Sequence, residues 1–193
     1  RALHVAHRRM KITTIILAGG EGSRIGGDKG LRLLRGRPLI ERVLESVRGQ
    51  SDEILISANA AGYERFGCPV IADETPGAGP LAGLQAALRQ AQHDWVATVP
   101  CDTPCLPRDL LAWLSAAAGQ AEASVAVASG KRQPAIALYR RSLLPRLDAY
   151  LESGERKVGG WLDSLHVHEV VFDDAAAFVN INTLEELEAH NHD

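Results

Sequence analysis

The chain has 193 residues, 46% hydrophobic and 23% charged, which is enough for one sizeable core and far from the composition of a disordered chain. Its formal net charge of −3 at pH 7 argues against general nucleic-acid binding, which needs a basic face to displace counterions. No apolar run approaches the roughly 20 residues that span a bilayer, and the first residues lack the apolar centre of a signal peptide, so a soluble, cytoplasmic protein is expected.

Met10 is the sole methionine, so residues 1–9 read as upstream sequence and 10–193 as one domain. Three cysteines, Cys68, Cys101 and Cys105, are odd in number and lack CxxC spacing, which fits reduced thiols and no metal. The first informative segment is Ile12 to Gly30, ITTIILAGGEGSRIGGDKG. Its β-branched start fits a buried parallel strand. The glycines beyond it let backbone N–H groups approach an anion without Cβ interference. With Arg24 and Lys29 to supply charge, the loop reads as a phosphate cradle; a glycine-rich surface turn is the competing reading. It is not a Walker A loop, because Lys29 is followed by Gly30 and no glycine stands in the required relation to it. Nor is it a dinucleotide fingerprint: Ile25 occupies the third glycine position, and the next strand ends in Ser57-Ala58-Asn59 without an acidic ribose ligand.

From Arg24 to Arg42, six cations face two carboxylates, a patch suited to a small polyanion, although Arg32, Arg35 and Arg37 also read as a solvated turn. A helix is predicted to open at Pro38, with Leu39, Ile40, Val43, Leu44 and Val47 on its apolar face. Apolar runs predict strands over Glu53 to Ala58, Pro69 to Ala72, Trp95 to Val99, Ser124 to Ala128, Ala135 to Tyr139 and His166 to Phe172. Further helices are expected over Leu81 to Gln90, Pro107 to Ala117, Ser142 to Leu151 and Glu155 to Asp163. A last one starts at Asn182 or Thr183, where Thr183 and Glu186 have capping-box spacing. Thr75 to Pro80 reads as a mobile loop. This alternation predicts a three-layer α/β/α sandwich around a mainly parallel sheet, with ligands beyond the carboxyl ends of its strands.

Asp102 follows the Trp95 to Val99 strand by three residues. A rigid element would hold its carboxylate at the ligand edge, and its hard oxygens suit Mg²⁺; a turn or helix-capping role before Pro104 stays open. Asp73, after the Pro69 to Ala72 strand, could accept from guanine donors or serve as a plain turn residue. Arg156 and Lys157 suit a phosphate, or a solvated helix turn. The histidines form no HExxH motif and no cysteine partnership, which discounts zinc.

The series Leu17-Ala18-Gly19-Gly20, Ser23-Arg24 and Gly27-Asp28-Lys29 resembles the nucleotidyltransferase pattern LAGGxxxRMGxDK, with Ile25 in place of methionine. Further matching motifs are Arg37-Pro38-Leu39, Ile71-Ala72-Asp73, Gly79-Pro80-Leu81-Ala82-Gly83, Pro100-Cys101-Asp102-Thr103-Pro104, Gly154-Glu155-Arg156-Lys157 and Asn180-Ile181-Asn182-Thr183. Together they make the stretch from about Thr14 to about Glu188 similar to the MobA family of molybdenum cofactor guanylyltransferases.

That resemblance implies a Rossmann-like nucleotidyltransferase fold, Mg²⁺ as metal, and GTP and molybdopterin as substrates. GMP would pass to molybdopterin with release of pyrophosphate, giving molybdopterin guanine dinucleotide. It implies catalytic roles for Lys29, Arg24 and Asp102, with Asp102 also the metal ligand. Nucleotide contacts are implied for Leu17, Ala18, Gly19, Gly20, Lys29, Ser57, Asp73, Gly79, Pro80, Leu81 and Asp102, with Asp73 on base or ribose. Acceptor contacts are implied for Arg156, Lys157, Asn180 and Asn182. Alternating spacing on a strand end would put the two asparagines on one face, or Asn182 caps the last helix. Other molybdenum cofactor biosynthesis proteins and molybdoenzymes are implied as partners, but neither nucleic acid nor membrane. Related cytidylyltransferases resemble LAAG at the first motif, so Gly19 favours the larger purine. Ser57 departs from the asparagine common in guanylyl members. The alternatives are a cytidylyl- or sugar-phosphate nucleotidyltransferase of the same fold, or a non-catalytic GTP and pterin carrier.

Overall fold

A computed structural model describes residues 9–19, 28–75 and 77–181. In chain order its elements begin with β1 (Ile12–Leu17), β2 (Leu33–Leu34), β3 (Arg37–Pro38), α1 (Leu39–Arg48), β4 (Glu53–Ser57) and β5 (Val70–Ile71). There follow α2 (Pro80–Gln90), β6 (Trp95–Pro100), α3 (Leu110–Ala118), β7 (Ala123–Ala128) and β8 (Lys131–Arg140). The last are α4 (Leu144–Glu152), α5 (Val158–Asp163) and β9 (Val167–Phe172). No helix among the described residues is long and apolar enough to cross a membrane.

The main sheet has seven strands in the order β5-β4-β1-β6-β8-β7-β9. β1 lies parallel between β4 and β6, with Ile15 opposite both Leu55 and Thr98. β8 alone runs against its neighbours, so the sheet is mainly parallel, as expected. β1 is buried along its whole length, which is why it reads as an uninterrupted apolar, β-branched run. Its side chains alternate between two cores. Ile12 and Ile16 pack with Ile40, Val43 and Leu44 of α1 and with Leu110 and Leu114 of α3. Ile15 and Leu17 pack on the other face with Leu81, Leu84 and Leu88 of α2, Leu147 of α4 and Trp161 of α5. Sheet and two helix layers form the expected α/β/α sandwich.

The polar residues of β1 are satisfied sideways: the Thr13 hydroxyl reaches Glu53 at 2.5 Å and that of Thr14 lies 2.7 Å from Ser51. From β1 the chain steps to β4 and β5 on one side, then crosses through α2 to β6 on the other. This reversal leaves a crevice beyond the carboxyl ends of β4, β1 and β6, the usual ligand position in such sheets.

Several elements differ from the sequence expectation. The short β2–β3 hairpin was not anticipated; it turns through Arg35 (φ 51°) and Gly36 (φ 74°), the left-handed pair of a tight hairpin. A similar turn at Ser129 (φ 50°) and Gly130 (φ 68°) folds β7 back on β8, so β8 starts at Lys131 rather than Ala135. Pro38 closes β3 and precedes the first helical residue, Leu39. α3 begins at Leu110 because a turn, Leu110 N–H to the Pro107 carbonyl at 3.2 Å, comes first. The Ser142 start is replaced by a 3-10 turn over Arg141–Leu143. α5 begins at Val158, leaving Arg156 and Lys157 ahead of it. The expected helix after Asn182 lies outside the described residues.

Candidate active site

The ends of three strands are tied together at the crevice. Ala18 N–H donates to the Ser57 carbonyl at 2.8 Å, and Cys101 N–H donates to the Leu17 carbonyl at 3.1 Å. Gly19 comes next and faces Asp73 so closely that a Cβ there would lie 2.9 Å from the Asp73 Oδ2. The glycine thus lets a carboxylate approach closely, and a side chain there would have to push Asp73 aside. The Asp73 side chain accepts from the Ser57 hydroxyl at 2.7 Å and from the Asn59 amide at 3.2 Å, while Asp73 N–H donates to Asn59 Oδ1 at 3.1 Å. Ser57, which stands where asparagine was expected, is buried and turns its hydroxyl to Asp73.

Helix α2 closes one side of this cluster. Gly79 precedes it with φ 55°, and Pro80 occupies its first turn, where the missing N–H has no cost. Both are exposed, whereas Leu81 is buried in the core with Leu84 and Leu88. Gly83 allows the helix to touch the strands: a Cβ there would lie 2.6 Å from a Leu17 methyl and 2.8 Å from the Ser57 hydroxyl.

A second cluster lies beyond β6. Lys29 opens a 3-10 turn over Lys29–Leu31, and its ammonium is 3.4 Å from Asp102 Oδ2. Asp102 is anchored on both sides. Cys101 before it is tied to Leu17, the Asp102 carbonyl accepts from Ile181 N–H at 2.8 Å, and the buried Thr103 hydroxyl donates to Asn180 Oδ1 at 2.5 Å. Asn180 is exposed and irregular in backbone rather than at a strand end, since β9 stops at Phe172; its packing against Thr103 replaces the expected alternation. Tyr63, fully buried, donates its hydroxyl to Asp28. Burial, reinforced by the Asp28 carboxylate, pushes the Tyr63 phenol far up, so it stays a neutral donor. Burial likewise pushes the Cys101 thiol up, which removes it as a nucleophile.

Of the two basic residues expected to meet the acceptor, Arg156 donates from one nitrogen to the carbonyls of Leu151 at 2.6 Å and Glu155 at 2.7 Å, so its guanidinium fastens the loop after α4. The Lys157 side chain is exposed, and its carbonyl accepts from the Tyr150 hydroxyl at 3.0 Å. Arg37 clasps Glu45 at 2.6 Å and Glu41 at 3.3 Å, and Arg42 donates to the Leu34 carbonyl at 3.0 Å, so part of the basic patch builds α1 and its hairpin. Gly20, Arg24 and Asn182 lie outside the described residues.

Leu17, Ala18, Gly19, Ser57 and Asp73 thus form one group, and Lys29 and Asp102 another, at neighbouring strand ends. Asn59, Thr103 and Tyr63 were missed by sequence reasoning. For Asn59 a signal existed: it follows Ser57 by two residues, the spacing that returns a side chain to the same face. No group of three or more His, Cys, Asp or Glu gathers around a common point among the described residues. A single buried carboxylate is a poor zinc site but a sufficient Mg²⁺ anchor when nucleotide phosphates complete the shell.

A lysine and a carboxylate at the strand ends of a mainly parallel sheet with this order are the frame of an α/β protein that binds its ligand at the switch point, and the sequence matches assign its class, a nucleotidyltransferase. Residues 14–169 match the family model described as a MobA-like NTP transferase domain, and the chain belongs to that family. Among its relatives, the molybdenum cofactor guanylyltransferase of Cupriavidus metallidurans is 48% identical, covering 94% of this chain and 95% of that protein. The enzyme of the same name from Bordetella petrii is 43% identical over 92% of this chain and 95% of its own. Among solved structures, molybdopterin-guanine dinucleotide biosynthesis protein A from Archaeoglobus fulgidus superposes with a TM-score of 0.78 at 26% identity, covering 93% of this chain and 97% of that one. The 2-C-methyl-D-erythritol 4-phosphate cytidylyltransferase of Thermus thermophilus, at TM-score 0.71 and 17% identity over 95% and 98% of the two chains, shares the fold.

Proposed function

We propose that this protein transfers the GMP portion of GTP to the terminal phosphate of molybdopterin, forming molybdopterin guanine dinucleotide and releasing pyrophosphate. The observation that carries this reading is near full-length identity of 48% to a molybdenum cofactor guanylyltransferase, in a chain whose Lys29 and Asp102 meet at the ligand edge of the sheet.

In the reaction, an oxygen of the pterin phosphate attacks the α-phosphorus of GTP. A new P–O bond forms, the bond to the β-phosphate bridging oxygen breaks, and pyrophosphate leaves with the electron pair. A phosphate monoester has a second pKa of about 6 and is already anionic at neutral pH, so no strong general base is needed. The chain's tasks are alignment and charge neutralisation. Lys29 puts its ammonium beside the phosphates, where negative charge accumulates on the leaving group. Arg24 is assigned the role of a second cation by its place in the sequence motif. Asp102 would hold Mg²⁺ together with the phosphates, and the ion supplies positive charge to the reacting phosphoryl oxygens. Leu17, Ala18 and Gly19 offer a backbone surface without bulk to the nucleoside, and Gly20 is assigned to the same contact by its place in the sequence motif. Asp73, clasped by Ser57 and Asn59, presents carboxylate oxygens to nucleoside donors. Gly79 and Pro80 border the nucleotide, and Leu81 supports them from the core.

Acceptor binding is assigned to Arg156, Lys157, Asn180 and Asn182. The exposed Lys157 side chain takes the pterin phosphate, and Arg156 shapes its loop through the Leu151 carbonyl. Asn180, fixed by Thr103 beside Asp102, is assigned to the acceptor, and so is Asn182 by its place in the sequence motif. We place the reaction in the cytoplasm, where free thiols such as Cys68 and Cys105 persist, with molybdenum cofactor biosynthesis proteins and molybdoenzymes as partners. The test is label transfer: GTP labelled at the α-phosphate should pass its label to molybdopterin, and GTP labelled at the γ-phosphate should not. Label retained in GTP, or released as inorganic phosphate, contradicts the reading.

A further inference from the structure

Lysine has four rotatable side-chain bonds, so a lysine that must meet a phosphate needs its backbone held from outside. In this protein the hold comes from a residue remote in sequence. Tyr63 ends the segment that leaves β4, and it is fully buried, with its ring 6.3 Å from that of Phe66. Its hydroxyl donates to Asp28 Oδ1, the residue before Lys29. The residue after Lys29 is held by shape: a Cβ on Gly30 would lie 2.6 Å from the Tyr63 hydroxyl oxygen and 3.3 Å from Cys101 Cβ. Lys29 therefore sits between one neighbour pinned by a hydrogen bond and one pinned by contact with the same tyrosine. Its ammonium points to Asp102, 3.4 Å away.

The same segment carries Ser57 and Asn59 at its start, which clasp Asp73. One stretch of chain thus fixes both the nucleoside cluster and the phosphate cluster. We infer that Tyr63 is a positioning residue for nucleotidyl transfer, its hydroxyl holding Asp28 so that Lys29 is aimed at the triphosphate beside Asp102. This rests on the function proposed above.

Tyr63→Phe separates positioning from packing, because it keeps the buried ring and removes only the hydroxyl. GTP affinity and pyrophosphate release with molybdopterin are to be measured for wild type, Y63F, K29A and the double variant, alongside melting temperature. Y63F is expected to melt within a few degrees of wild type while kcat/KM for GTP falls roughly tenfold or more, the effect of losing one hydrogen bond to a charged group. In the K29A background the added Y63F change should have almost no further effect, since the hydroxyl acts through Lys29. Unchanged kcat/KM in Y63F, or an equal loss with and without Lys29, overturns the inference while leaving the proposed function standing. A wild type that neither binds GTP nor releases pyrophosphate overturns the proposed function, and this inference with it.

Discussion

Lys29 and Asp102 stand 73 residues apart in the chain, yet their charged groups lie 3.4 Å from each other. The side chain of Lys29 is 35% exposed and that of Asp102 10%. Asp102 is buried, but Lys29 keeps about a third of its side chain in water, so removing the carboxylate leaves a lysine that can rehydrate rather than a stranded buried charge. Asp102→Ala is expected to shift the melting temperature by only a few degrees. The same change should reduce kcat/KM at least roughly 100-fold, because charge stabilisation at a reacting phosphoryl group is worth several kcal/mol. Steady-state kinetics beside thermal melts check both halves.

Ser57 tests the nucleoside side. Its buried hydroxyl donates to Asp73 at 2.7 Å, and removing a donor to a carboxylate costs about 1.5–3 kcal/mol where the acceptor must stay aligned. Ser57→Ala should raise KM for GTP about tenfold with a smaller change in kcat, the signature of lost ground-state binding. An unaltered KM would take Asp73 out of nucleotide recognition.

Two glycines make opposite predictions about stability. A Cβ at Gly83 would press into Leu17 and Ser57 at 2.6 and 2.8 Å, so Gly83→Ala should cost about 1–3 kcal/mol by overpacking and lower the melting temperature by several degrees. Gly49 has φ −78°, and a methyl group there would meet nothing within 4 Å; Gly49→Ala should be neutral or stabilising by up to about 1 kcal/mol. Calorimetry on the two variants separates the close approach from glycine flexibility in general.

The pH dependence of stability follows from buried acids. Burial pushes up the pKa values of Cys101, Tyr63 and Tyr139, so the fold favours their neutral forms. The unfolded chain loses these protons near pH 8.5 for cysteine and about 10 for tyrosine. Their stabilising contribution is therefore complete below about pH 8.5 and is lost as pH rises toward the folded values. Melting temperature should decline above that point, and the decline above about pH 10 should be shallower in Tyr139→Phe. A wild-type melting curve flat to about pH 11 would contradict the sign.

The central strands were legible because burial on both faces leaves an unbroken apolar run, as in Ile12 to Leu17, and the apolar stripe of α1 was legible because one face alone is buried. The β2–β3 hairpin and the early start of β8 were not, since Arg35 and Ser129 take left-handed φ values that these residue types rarely announce. Within the site, Gly19, Lys29, Asp73 and Asp102 could be picked out by position after strands and by family pattern. Asn59 and Tyr63 act across 14 and 35 residues of chain, a relation that only folding creates. The Asn180 bond to Thr103 spans 77 residues and leaves no mark in the spacing of the sequence.

Guanylyl transfer stands or falls on pyrophosphate release. The protein is incubated with Mg²⁺ and molybdopterin, with GTP or CTP in separate reactions. Pyrophosphate is expected with GTP, with its near disappearance in Asp102→Ala and little release with CTP. Release with CTP but not GTP, or binding of GTP and pterin without any release, would contradict guanylyl transfer.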